Sequence, residues 1–196
     1  VVAQRQRELE RQISTFVSAI TLPNRSESIA RWERPICPFV AGWPLDKGHF
    51  LLQRASQIAS DAGIPMAPQA CSPNLLVVGT TEPERFLKMW WRKDPRLFDL
   101  ERGVSEIKST IRTATPVRVF YNACSTAPPA KSFTLRVTLD CDSGVLSGSK
   151  LAWSSVRAIY SVIVVVDLQQ TQDLKIEALT DYIALIALAQ IRRDPE

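Results

Sequence analysis

Asp181 and Tyr182 stand side by side in "EALTDYIALIALAQI" (177–191), a segment whose second half is almost wholly apolar. A carboxylate and a phenol converging in one cleft, joined by Asp167 from the preceding apolar run, are residue types that acid–base hydrolysis can use. A structural role accounts for the same pair more simply. In the first half of a helix a carboxylate can meet helix-start amides or a buried arginine, and a phenol can reach a backbone carbonyl. Anchoring the helix is the expected role of Asp181 and Tyr182. A hydrolase with an Asp/Tyr site built on Asp181, Tyr182 and Asp167 is the enzymatic alternative.

Other chemistries are more sharply limited. His49 is the only histidine, so a Ser or Cys nucleophile with an imidazole base would rest on that one residue. Its place at a helix start beside Gly48 predicts a solvent-facing or capping residue. One histidine, no HExxH and no CxxC pair leave zinc without its ligands, and neither metal nor cofactor is expected. Asp140, Asp142 and Asp167 have the hard oxygens of a calcium or magnesium site, but D-x-D-x-G lacks the further ligands of a calcium loop. An Asx-type turn at Asp142 and Ser143 is the simpler account. In "DSGVLSGSKL" (142–151), Gly144 and Gly148 stand too close for a phosphate loop, Ser149 precedes Lys150, and Leu151 takes the hydroxyl position.

"RFLKMWWRKDPRLF" (85–98) mixes aromatics with cations. On a helix, Phe86, Trp90 and Leu97 share one side, flanked by Leu87 and Trp91, while Arg85, Lys88, Arg92 and Lys93 fall mostly on the other. That pattern predicts a surface helix docked on a sheet. The partner-binding candidates are Arg85, Lys88, Trp91, Arg92 and Lys93, and exposure of Trp91 or Met89 would favour such a role. The net charge of +4 is spread along the chain, which argues against a dedicated nucleic-acid binder. A basic module for nucleic acid or anionic lipid remains a second alternative.

Cys37, Cys71, Cys124 and Cys141 each lie beside Pro, Ser, Asn or Asp in loop-like sequence. Buried free thiols more often occupy apolar positions within elements, so two disulfides and an oxidising compartment are expected. The sequence alone does not choose among the pairings. Cys37–Cys71 and Cys124–Cys141, each closing a loop that carries a strand, is the expected set, with four free thiols as the alternative.

These residues need elements to position them. An amphipathic helix is expected over 3–20, with Leu9, Ile13, Phe16, Val17 and Ile20 on one face. It forms an N-terminal unit over 1–22, followed by one domain over 23–196. Strands are expected at 28–32, 74–80, 116–122, 133–140 and 158–167. Pro35, Pro38 and Pro44 predict no regular element over 34–44. A helix over 47–62 is expected to be capped by Asp46 and stopped by Gly63. Another spans 83–93, opened by Pro83 and closed by Asp94-Pro95. A weaker one covers 97–111, and the last runs over 174–191, apolar nearly all round. Strands and helices alternate early, strands cluster in the middle, and a buried helix closes the chain. This is an α+β layout with a single mixed sheet packed with helices. No run reaches the roughly 18 apolar residues of a spanning helix, so a transmembrane protein is not expected. The start at Val1, with no basic-then-apolar leader, suits a mature form whose signal has been removed.

In order along the chain, "IARWERPICPFVAG", a helix ending "ASDAGI", "CSPNLLVVGT" and "SVIVVVDLQQ…LTDYIALIALAQI" resemble an uncharacterised family of exported bacterial proteins, over roughly residues 28–191. The layout is also similar to that of a zincin-type metallopeptidase: an "RW..PI" strand, a helix, an "NLLVV" strand, and a helix after an edge region. The resemblance places 179–190 where the active-site helix with HExxH would lie. At the ligand positions this chain has Leu, Thr, Asp181, Tyr182, Ile and Ala. The resemblance implies a zincin-like scaffold without the zinc chemistry, and a fold-level likeness warrants no activity. The function expected is that of a non-catalytic protein, periplasmic or secreted, binding a partner protein or cell-envelope component.

Overall fold

The computed structural model describes residues 5–8, 10–12, 15, 30–98, 103–126 and 156–190. Residues 5–8, 10–12 and 15 are helical and exposed, with Arg11 ion-paired to Glu8 at 2.9 Å; the rest of the expected N-terminal helix lies outside the described residues. So do the expected strand 133–140, Cys141, the Asp140 and Asp142 pair, and the "DSGVLSGSKL" segment.

The elements in chain order are β1 (Arg31–Trp32), β2 (Pro38–Ala41), α1 (Leu45–Asp61), β3 (Leu75–Thr80), α2 (Pro83–Lys93), a 3-10 turn (Pro95–Leu97), α3 (Val104–Arg112), β4 (Val117–Thr126), β5 (Val156–Asp167) and α4 (Ile176–Leu188). They form one five-stranded mixed sheet organised around β5. β3 pairs parallel with β5 from Leu75 opposite Val162 to Thr80 opposite Asp167, and β2 lies parallel outside β3. β4 runs antiparallel along β5 from Val117 opposite Val166 to Thr126 opposite Val156. Since β4 occupies one edge of β5 throughout, β1, parallel at Ala158 and Ile159, must share the other edge with β3, end to end.

Near-continuous apolar sequence in β5 reflects burial on both faces. Val162, Val164 and Val166 face α1 and α4, in a cluster with Leu51, Ala59, Leu179, Ile183 and Ile186. Ile163 and Val165 face α2 and α3, in a second cluster with Leu87, Phe98, Ile107, Ile111 and Phe120. The register slips between Asn122 and Ala123, which pair with Ser161 and Ile159. Tyr160 is therefore the extra residue of a bulge, and Ile159 returns to the same face as Val162. The fold is thus mixed α/β, a mostly parallel sheet with helices on both faces and a C-terminal helix packed on its core.

Several local expectations are corrected. Residues 34–44 do contain a strand: β2 is the outermost strand, and Pro38 is its first residue, a place where a missing N–H is tolerated. α1 starts at Leu45 behind Pro44, with no side-chain cap among the described residues. Asp46 sits inside its first turn, where its charge meets the positive helix end. The helix expected over 97–111 is split into the 3-10 turn and α3. Cys124 lies in β4 rather than in a loop. α4 is not buried all round: Tyr182 is 45% and Leu185 52% exposed, because α4 meets the sheet on one side only.

The segment from β2 to β3 is tied at its start by specific bonds and packed closely at the far end of the two strands. Cys37 and Cys71 form a disulfide with a Cα–Cα distance of 6.0 Å. Beside it the Asn74 side chain accepts from Cys37 N–H at 2.7 Å and donates to Pro35 O at 3.1 Å. Gly42 has φ +74° and lies so close to β3 that a side-chain carbon there would run into the Gly79 carbonyl, a position only glycine accommodates.

Candidate functional site

The C-terminal ends of β3 and β5 lie side by side, Thr80 opposite Asp167. In open α/β sheets this is where ligand crevices form. Beside it, Asp167 at the end of β5 and Arg118 of β4 line the floor of a groove of about 930 Å³. One wall is α2 along its length from Pro83 to Lys93, held in place because Phe86 and Trp90, with ring centroids 4.6 Å apart, pack with Leu87 against the second core cluster. That docking turns Arg85, Lys88, Arg92 and Lys93 toward the groove and solvent. The opposite side is the connection from α3 into β4 and the turn after Asp167, represented by Ala114 and Gln170.

Arg118 of β4 lines the groove and is only 3% exposed. It is on the sheet face shared with Phe120, beneath α2. Its Nη1 donates to Thr115 O at 3.0 Å and its Nη2 to Thr113 O at 2.7 Å. Its Nε is buried with no hydrogen-bond partner among the described residues. Burial pulls the guanidinium pKa down, and the charges of Asp167 and Glu84 partly offset this. Asp167 has its own commitments: Oδ1 accepts from the amides of Gln169 (2.9 Å) and Gln170 (3.2 Å), and Oδ2 from Gln170 Nε2 at 2.7 Å. Glu82 pairs with Arg85 at 3.1 Å and Glu84 with Lys88, and the Lys88 hydrogen bond holds the Glu84 carboxyl below its ordinary range.

Four of the five partner-binding candidates therefore share one groove. Trp91 does not line it. It packs edge-on against Phe98, centroids 5.5 Å apart, and borders a small cavity with Lys108 and Arg112. Met89 lines the groove and is 58% exposed.

The three hydrolase candidates are dispersed. Asp167 is in the groove. Asp181 forms a two-point ion pair with Arg54 of α1, Nε to Oδ1 at 2.8 Å and Nη2 to Oδ2 at 3.3 Å, on the exposed side of both helices. Tyr182 borders a different cavity of about 510 Å³, with Thr171 and Leu174. The phenol that reaches helix carbonyls is that of Tyr121, which donates to Ile186 O at 2.6 Å. His49 is exposed in the first turns of α1. Among the described residues no three His, Cys, Asp or Glu side chains are grouped to hold a metal ion, and no helix is long and apolar enough to cross a membrane.

Arg118 escapes the sequence because alternation in "PVRVFYN" assigns it to the wet side of a half-buried strand. Phe120, in register with it, was the signal that this face is covered too. Compared with family models, with curated proteins and with solved structures, the chain matches none.

Proposed function

We propose that this is a non-catalytic exported protein that binds an acidic partner protein or cell-envelope component through the groove beside α2, on a zincin-like scaffold that lacks the metal ligands. The observation that carries the reading is the gathering of Arg85, Lys88, Arg92, Lys93 and the buried Arg118 around one groove. Exposed Met89 adds an adaptable apolar contact at its rim. The element order β1, α1, β3, an antiparallel edge strand β4, then α4 supports the scaffold likeness. The Cys37–Cys71 bridge supports an oxidising compartment, periplasmic or extracellular. An Asp/Tyr hydrolase would need Asp167, Asp181 and Tyr182 to converge, and they border separate surfaces.

The test is fluorescence anisotropy with a labelled oligoglutamate peptide. Binding is expected to weaken as salt rises from about 50 to about 200 mM, because exposed charges are screened. The double substitution Arg92→Glu/Lys93→Glu should weaken it at least about tenfold. Absent binding, or binding indifferent to both salt and charge reversal, defeats the proposal. Tighter binding of duplex DNA or anionic vesicles than of the peptide would replace it with the basic-module alternative.

A further inference from the structure

The groove floor carries a feature that the acidic-partner reading does not require. Arg118 is a buried cation whose hydrogen bonds go to two neutral backbone carbonyls, Thr113 O and Thr115 O. Those bonds fix the plane of the guanidinium without neutralising it. Among the described residues its Nε–H has no partner, and an incompletely paired buried charge is costly to a fold. The carboxylates around it do not complete it: Asp167 accepts from Gln169 and Gln170, Glu84 pairs with Lys88, and Glu82 with Arg85. The first turn of α2 lines the same groove. Pro83 at its start has no N–H, so the amides this turn offers are those of Glu84 and Arg85; amides at a helix start lack intrahelical acceptors and favour anions.

We propose that Arg118, with the first turn of α2, forms a discrete oxyanion site that takes a carboxylate or phosphate group of a bound ligand. Arg118 is the specific contact, since its planar fork is already held in place by the Thr113 and Thr115 carbonyls. Arg92 and Lys93, exposed at the rim, attract the anion without defining its position.

The site is tested on the intact chain by calorimetric titration with inorganic phosphate and, separately, with malonate. Saturable one-to-one binding of at least one is expected, and the tighter arm identifies the group as phosphate or carboxylate. Arg118→Lys should weaken it about tenfold to a hundredfold, as loss of a charge-assisted hydrogen bond does. Lys47→Ala, at an exposed cation of α1 outside the groove, should change it by less than about threefold. A readout in the unmodified chain covers the case in which Arg118→Lys does not fold: the Arg118 Nε–H resonance should shift along the same binding curve. No saturable binding of either anion, an unmoved Nε–H resonance, or equal affinity in folded Arg118→Lys overturns the site. The proposal rests on the groove being the binding surface, but the two fail separately. Phosphate or malonate binding without oligoglutamate binding keeps the site and removes the acidic partner. Oligoglutamate binding with no response of Arg118 to either anion does the reverse.

Discussion

At the residue scale, the two groups that drew attention as a pair have parted. Asp181 is half of an ion pair with Arg54, while Tyr182 faces a cavity on its own. The Arg54 hydrogen bond, and secondarily its charge, holds the Asp181 carboxyl below the ordinary aspartate range. A depressed folded-state pKa stabilises the fold above the unfolded pKa and loses that contribution as pH falls through the folded one. Asp181→Asn should therefore be less stable than the parent at neutral pH. The difference should shrink below pH about 4 and vanish in stronger acid. Urea midpoints of the two proteins across that range check it, and a gap that persists in acid would show that another interaction is responsible. The pair is solvent-exposed, so added salt should narrow the gap at neutral pH as well. The types of these residues were legible in the sequence. Their partners were not, because Arg54 is brought to Asp181 only when α1 and α4 pack on the same sheet face.

At the element scale, the sequence periods located most helices and strands because burial follows them directly. "NLLVVGT", "AIYSVIVVVD" and 83–93 became β3, β5 and α2 with small shifts at their ends. The expectations that failed depend on neighbours. Pro38 is acceptable in β2 because β2 is an outer strand, and Leu185 is exposed because α4 is covered on one side only. α4 is secured at its C-terminal end by two side chains from the sheet. Tyr121 Oη donates to Ile186 O and Trp32 Nε1 to Ala187 O, at 2.6 and 3.1 Å, where helix carbonyls lack intrahelical donors. Tyr121→Phe keeps the ring in the core and removes the buried donor. It should cost about 1–3 kcal/mol, read as a lower denaturation midpoint, with faster hydrogen exchange in the last turn of α4. A loss spread evenly over the molecule, with no local change in α4, would contradict this anchoring role.

At the scale of the whole molecule, the Cys37–Cys71 bridge spans a sequence separation of 34 residues, a segment that contains β2 and α1. A loop of that length is expected to contribute about 3–4 kcal/mol by restricting the unfolded chain. Cys37→Ala/Cys71→Ala should lose about that much in equilibrium unfolding under non-reducing conditions. A loss near zero would mean that the Asn74 bonds to Cys37 and Pro35 hold the segment without it. What the sequence determined by itself was set by composition and period: a core-forming chain, one mixed sheet with a closing apolar helix, and a cationic face on 83–93. The tertiary structure alone decided which face of β4 is covered, and so made Arg118 a buried cation rather than a surface one. It also brought Arg118 of β4 and Asp167 of β5 together beside the cationic residues of α2. Local pattern reports whether a residue prefers water, whereas a groove is made by segments distant in sequence, and only their packing sets which charges meet there.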